Sequence, residues 1–266
     1  MKTHPLSISL VIPCYNESKR LPLLIKGLEA FHSDWEHHFE ILVVDDGSQD
    51  GTAPLVKQLL ENKFPNRLFK VIALPQNQGK GGALQAGVEQ ARGNYILTLD
   101  ADMAAQPTQL IAWLKQLNGT FPENTILIAS RNHALSKIEA KTHRKITGSL
   151  FNQLVQFLTP IRQSDTQCGF KLYPRFIGQL LFRELQLKGW AHDIELLYKA
   201  YYLDIPVKAM PVEWTHVNDE KIDVLRDGIK MAWQTIKISW QFQFHPKKRK
   251  ELNTLKIAYQ KELEQP

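Results

Sequence analysis

Cysteine is scarce in this chain of 266 residues, with only Cys14 and Cys168 present. Two thiols so far apart provide neither a disulfide framework nor metal-ligand spacing, which fits a reducing compartment. No apolar run approaches the roughly 18 residues needed to cross a bilayer. Met1 to Ser7 is short and polar and shows no signal-peptide pattern. Pro/Gly-rich linkers and internal repeats are also missing. No Gly-x-Gly-x-x-Gly follows the first apolar run, which argues against a dinucleotide oxidoreductase. The run Gln76-Asn77-Gln78-Gly79-Lys80-Gly81-Gly82 lacks the spacing of a P-loop and its Ser/Thr after Lys. Charge of one sign is only mildly in excess, with 33 Lys and Arg against 27 Asp and Glu and a net charge of +6. That balance favours anionic partners such as phosphates or acidic lipid. Without an RNA- or DNA-reading motif, a nucleic-acid partner is not expected.

What is present is an alternation of short apolar runs with helical patterns. Ser7 to Pro13, Glu40 to Val44, Phe69 to Leu74 and Tyr95 to Leu99 read as strands. Ser18 to Phe31, Thr52 to Leu60 and Gly82 to Ala91 read as the helices between them. Near-continuous apolar strands separated by helices predict a parallel sheet covered on both faces. Right-handed crossovers place the strand C-terminal ends along one edge, where ligands of open α/β sheets bind. The polar clusters after these strands therefore converge: Cys14 to Glu17, Asp45-Asp46, Gln76 to Gly82, and Asp100-Ala101-Asp102. Further along, Gln109 to Leu117, Ile146 to Leu158 and Asp193 to Tyr202 read as helical. Thr125 to Ala129, Gly169 to Tyr173 and Val207 to Trp214 read as extended.

Asp100 and Asp102 are two carboxylates one residue apart, just past an apolar strand. Such a pair suits Mg²⁺ or Mn²⁺, hard cations that also take diphosphate oxygens. Its other reading is a strand-ending turn with solvated aspartates. Asp46 suits a pyrimidine or ribose, and Asp50 a helix cap. The Gly79 to Gly82 turn offers backbone N–H groups and the Lys80 ammonium to a phosphate. Trp190 and Trp214 read as core. Asp193 and Glu195 lie two apart on a helix and do not share a face, so one of them reads as a surface charge.

Val11-Ile12-Pro13-Cys14-Tyr15-Asn16-Glu17, the Val43 to Thr52 segment, Asn77 to Gly81 and Asp100-Ala101-Asp102 resemble the family 2 glycosyltransferases of GT-A fold. Ser130-Arg131, Asp165-Thr166-Gln167-Cys168-Gly169-Phe170-Lys171-Leu172, Gly189 to Tyr198 and Pro211 to His216 narrow the likeness. They resemble the dolichyl-phosphate glucosyltransferase branch and other polyprenyl-phosphate transferases. The resemblance implies a GT-A α/β fold, with a mostly parallel central sheet flanked by helices and a Rossmann-like nucleotide-binding half. It also implies an enzyme that moves glucose from UDP-glucose to a polyprenyl (dolichyl-type) phosphate. Pro13, Tyr15, Glu17, Asp46, Lys80, Asp100 and Gln167 would hold the nucleotide sugar. Asp100 and Asp102 would hold Mg²⁺ or Mn²⁺, and Asp102, Asp193, Arg131 and Asp165 would serve catalysis. Another nucleotide sugar such as GDP-mannose, a glycan or protein acceptor, or an inactive sugar-nucleotide-binding relative are the alternatives.

A phosphate monoester needs no base to become nucleophilic, because its second pKa is about 6. Its difficulty is repulsion from the anionic leaving group, about 4 kcal/mol for unit charges about 4 Å apart at an effective dielectric near 20. Arg131, Arg144, Lys145 and Lys171, with Ser149 as a neutral donor, are the candidates to offset that at the acceptor phosphate. On this reading Asp165 and Asp193 orient cations or sugar hydroxyls and abstract no proton.

Residues 1–217 read as the catalytic domain and 218–266 as a helical, basic appendage. In the appendage Leu225, Ile229, Ala232, Trp233, Ile236 and Trp240 recur at helical spacing. Phe242, Phe244 and Lys247-Lys248-Arg249-Lys250 follow. This pattern fits an interfacial helix on an anionic membrane, or a helix packed on the catalytic domain with a solvated basic tail. The expected location is cytoplasmic, with peripheral contact on the cytoplasmic membrane face.

Overall fold

The computed structural model describes residues 6–64, 68–139, 151–217 and 224–264. The first half follows the predicted alternation: β1 (Ser7–Cys14), α1 (Leu21–Asp34), β2 (His38–Asp45), α2 (Thr52–Lys63), β3 (Phe69–Ala73), α3 (Lys80–Gln90) and β4 (Tyr95–Thr98). Then come α4 (Gln109–Gln116), β5 (Ile126–Ala129), β6 (Lys137–Glu139) and α5, helical over residues 151–158. The chain finishes with β7 (Lys171–Pro174), α6 (Arg175–Phe182), α7 (His192–Tyr202), β8 (Val207–Met210), β9 (Glu213–Thr215), α8 (Val224–Phe244) and α9 (Pro246–Leu263).

Seven strands form the main sheet in the order β3-β2-β1-β4-β7-β5-β8. The first four run parallel, and β5 runs parallel to β8. β7 lies between β4 and β5, antiparallel to both. β1 is hydrogen-bonded on both edges and covered on both faces, so Ile8 to Ile12 is buried without interruption, Ser9 included. One face packs on α1, α2 and α4, through Leu21, Leu24, Leu28, Phe31, Val56 and Trp113. The other packs on α3, α6 and α7, through Leu84, Val88, Ile177, Leu181 and Leu196. A third cluster joins α5, α7, α8 and α9 through Val155, Leu197, Ile238, Phe242 and Leu252.

Several expectations shift. The single strand expected from Val207 to Trp214 divides at Pro211, which has no N–H for a ladder. Its second half, β9, leaves the main sheet and pairs with β6 instead. The basic run Lys247 to Lys250 lies in the first turn of α9, a helix that buries Leu252 and Tyr259. Arg144, Lys145 and Ser149, and the side chain of Leu225, lie outside the described residues.

Candidate active site

The C-terminal ends of β1, β2 and β4 meet the N-termini of α3 and α7 along one rim. Because β7 is antiparallel, its beginning also arrives there and brings Gly169 against the Asp100 carboxylate. Asp46, just beyond β2, accepts the Gln78 N–H at 2.7 Å and the Gly79 N–H at 2.8 Å. One carboxylate thus fixes the turn that opens α3. Gly79 sits there at φ +90° against the Lys188 carbonyl, a position with no room for a side chain. Burial raises the Asp46 carboxyl above its usual range, and the neighbouring Asp45 charge adds to the rise, while the two N–H bonds oppose it. Asp45 accepts the Ser48 N–H at 3.0 Å, and its Oδ1 is buried with no hydrogen bond among the described residues. Adjacent residues leaving a strand point to opposite sides, so the two aspartates do different work.

The first loop is tied to the same region. The Asn16 N–H donates to Ser48 Oγ and the Glu17 N–H to Thr52 Oγ1, each at 2.8 Å. Glu17 binds Arg20 through two bonds of 2.5 and 2.6 Å. Tyr15 is exposed at the rim and Pro13 is half-buried.

Lys80, in the first turn of α3, meets Asp100 at 2.5 Å and lies over the Trp190 ring at 5.3 Å. Burial disfavours its ammonium, but the charges of Asp100, Asp193 and Asp102 outweigh burial and raise its pKa. Asp102 accepts the Ala104 N–H at 3.0 Å. Its carboxyl is raised by burial and by repulsion from Asp100, against the pull of Ala104 N–H, Lys80 and Arg20. Asp100 and Asp102 are thus a closely coupled acidic pair beside one ammonium. Among the described residues no group of three or more His, Cys, Asp or Glu side chains is placed to hold a metal.

The acceptor-side candidates form two ion pairs. Arg131, two residues past β5, holds Asp165 through Nε and Nη2, both at 2.9 Å, and its backbone N–H adds a third bond at 2.8 Å. The guanidinium lies over Trp214 at 5.7 Å. Despite burial, these bonds hold the Asp165 carboxyl below its ordinary value. Lys171, buried at the start of β7, meets Asp193 at 2.7 Å and donates to the Cys168 carbonyl at 2.6 Å. Asp193 is likewise lowered despite burial, by His192, Lys171 and Lys80. Gln167 stands next to this ladder, its N–H on Asp165 Oδ1 at 3.3 Å.

The residues named from the sequence and described here thus share one rim. The exceptions to the sequence reading are instructive. Trp190 is exposed at the rim and not core, whereas Trp214 is half-buried against the core as read; each also lies over a rim cation. Glu195 is no surface charge, being fully buried, paired with Lys199 at 2.8 Å and accepting the Leu187 N–H at 2.7 Å. His192 was missed. It is buried beside Asp193 at 3.4 Å, and burial lowers its pKa. Its place directly before Asp193 at a helix start was the available signal.

A mostly parallel sheet with acidic pairs at its carboxyl rim and one antiparallel strand among the rest is the GT-A architecture. Solved structures share it. Glucosyl-3-phosphoglycerate synthase from Mycobacterium tuberculosis, in complex with Mn²⁺, UDP-glucose and glycerol 3-phosphate, superposes with a TM-score of 0.62 at 17% identity, over 89% of this chain and 79% of that one. Mannosyl-3-phosphoglycerate synthase from Rubrobacter xylanophilus gives 0.58 at 20% identity, over 90% and 74%. The sequence profile described as glycosyl transferase family 2 matches residues 9–179, and the chain belongs to that family. Among curated relatives, the dolichyl-phosphate beta-glucosyltransferase of Dictyostelium discoideum is 35% identical over 245 residues, 88% of this chain and 74% of its own length. The Homo sapiens protein of the same name is 36% identical over 225 residues, 81% and 69%.

Proposed function

We propose that this chain transfers glucose from UDP-glucose to the phosphate of a polyprenyl, dolichyl-type lipid, with inversion at the anomeric carbon. The observation that carries this reading is the ion pairing of Asp165 with Arg131 and of Asp193 with Lys171. A base that takes a proton near neutrality needs a pKa near that pH. Asp165 and Asp193 are driven the other way by their cations, and each is locked in an ion pair. Such a rim suits an acceptor that is already anionic, which needs cations more than a base. Arg131 uses Nε and Nη2 on Asp165 and lies over Trp214 at 5.7 Å, so Nη1 is the nitrogen it offers an acceptor phosphate, and Asp165 is its positioning residue.

On the donor side, Asp100 and Asp102 fit a divalent cation: two hard oxygen donors whose mutual repulsion a cation relieves, with the remaining ligands left to diphosphate oxygens and water. When bound, that ion neutralises charge on the departing nucleoside diphosphate. Lys80 supplies a second positive charge to the same phosphates. Asp46 presents the α3 turn, and the first loop with Asp46 borders the nucleoside.

Because a polyprenyl chain resides in a bilayer, the enzyme on this reading works at a membrane surface. No helix among the described residues is long and apolar enough to cross one. The test is to incubate purified protein with UDP-glucose, Mn²⁺ and a short polyprenyl phosphate. The expected outcome is a β-linked glucolipid by mass and NMR, with turnover lost on chelation and reduced on the order of 10²-fold or more in Asp102→Asn. Transfer to the polyprenol but not its phosphate, or an α-linked product, would overturn the reading.

A further inference from the structure

The apolar stripe of α8 does not face the protein. Ile229, Trp233, Ile236, Trp240 and Phe244, spaced by four, three, four and four residues, form one face and are 65%, 67%, 43%, 57% and 64% exposed. The helix packs inward through a different face, Thr235, Ile238, Ser239 and Phe242. The inward contact is secure: Ser239 Oγ donates to the Leu158 carbonyl at 2.6 Å, and Phe242 meets Tyr198 edge-on at 5.0 Å. Next to that carbonyl, Phe157 is 86% exposed. A contiguous outward row of large apolar side chains marks an interaction site.

We infer that this outward face of α8, with Phe157, docks the protein on an anionic lipid bilayer. Charge fixes the occupant. Lys230 and Lys237 each follow a stripe residue and so border the row along one side. Residues 228–244 contain no acidic side chain. The helix then runs into the first turn of α9, where Lys247, Arg249 and Lys250 are exposed with no ion pair among the described residues, and no acidic residue shares that turn. Cations gathered at a helix N-terminus oppose its dipole, a cost that nearby anions relieve. A second copy of this face would set like charge against like charge, whereas anionic headgroups beside an apolar layer match both parts of the surface. Tryptophan suits this depth, its ring in the apolar layer and its N–H among headgroups. From Ile229 to Phe244 the row is about 22 Å long, enough to lie flat on the surface. This inference rests on the lipid-phosphate reading for its purpose and names the surface through which that acceptor is met.

The test uses the full chain and the variant Trp233→Glu/Trp240→Glu, whose positions are exposed and outside the site. Co-sedimentation is measured with vesicles of phosphatidylcholine alone and of an equal mixture with phosphatidylglycerol, alongside light scattering and turnover of a short, water-soluble polyprenyl phosphate. The expected result is binding to the mixed vesicles, weakened by salt and reduced about tenfold or more in the variant, with soluble-acceptor turnover unchanged. Equal binding by both proteins, no binding by the wild type, or a dimer that the variant dissolves would overturn the inference. Vesicle binding without turnover of any lipid phosphate would support the docking surface and sink the acceptor assignment instead.

Discussion

Gly169 precedes β7 with its backbone pressed on the Asp100 carboxylate, so that a Cβ there would lie 2.5 Å from Oδ2 and 2.7 Å from Oδ1. A methyl group must therefore displace one of the two carboxylates assigned to the cation. Gly169→Ala is expected to fold with unchanged circular dichroism yet lose kcat/KM on the order of 10²-fold, as small misplacements in a reacting site do. It should also need more Mn²⁺ for half-maximal rate; an unchanged metal requirement would separate Gly169 from the site. At this scale the sequence was partly legible. Asp165 and Asp193 follow no apolar run and were named through the family resemblance alone, whereas Asp45, Asp46, Asp100 and Asp102 stood out because they follow apolar runs. The partners did not, since Arg131 reaches Asp165 across 34 residues and Lys171 reaches Asp193 across the sheet edge. Glu195 shows the limit of helical phase: opposite faces of α7 are both buried, because α6, α8 and α9 all pack on it. Its carboxylate is satisfied internally by Lys199 and by the N–H groups of Gln186 and Leu187.

Among the elements, the start of α2 offers a clean pH test. Asp50 sits one residue before the Gly51 N-cap and accepts the N–H and hydroxyl of Thr52 at 3.1 and 2.6 Å and the Ser18 N–H at 3.1 Å. It joins the first loop to α2 as well as helping to cap the helix. Although its slight burial works the other way, these bonds lower its pKa from 3.8 to about 2. The folded form therefore binds this proton less readily than the unfolded chain. The stabilisation is complete above pH 3.8 and is lost as pH falls to about 2. Asp50→Asn should be less stable than wild type at neutral pH, with the difference in urea midpoint closing across that window; a constant difference would remove Asp50 from the acid response. The strands β1, β2 and β4 were readable because burial on both faces writes itself as near-unbroken apolar sequence, while β3, at the sheet edge with Lys70 and Ala73 exposed, was readable from its β-branched and aromatic residues. The direction of β7 was not, since periodicity carries no orientation. The α8 stripe was found by spacing, yet spacing does not say which face turns inward. Ser239 faces inward with its hydroxyl on the Leu158 carbonyl of the neighbouring segment, and Thr235 can be buried beside it because the Met231 carbonyl of its own helix satisfies its hydroxyl.

For the whole molecule, the question is whether residues 218–266 behave as a unit apart from the catalytic domain. Phe242 lies on Tyr198, Tyr259 stacks on Phe176 at 6.4 Å, and Leu252 is buried in the same cluster as Ile194 of α7. These contacts couple α8 and α9 to the helices behind the rim. Phe242→Ala should destabilise the protein by about 3–5 kcal/mol, and thermal unfolding should remain one transition. A separate, earlier transition seen by calorimetry would mark an independent C-terminal unit. The Arg131–Asp165 clasp has its own consequence at this scale. Together with the Ala129 N–H bond to the Phe170 carbonyl at 3.0 Å, it fastens both ends of a long excursion to neighbouring strands of the sheet. Inside it β6 is pinned to β9 and α5 to α7 and α8, so losing the clasp should loosen the β5–β7 register before it frees either of those elements.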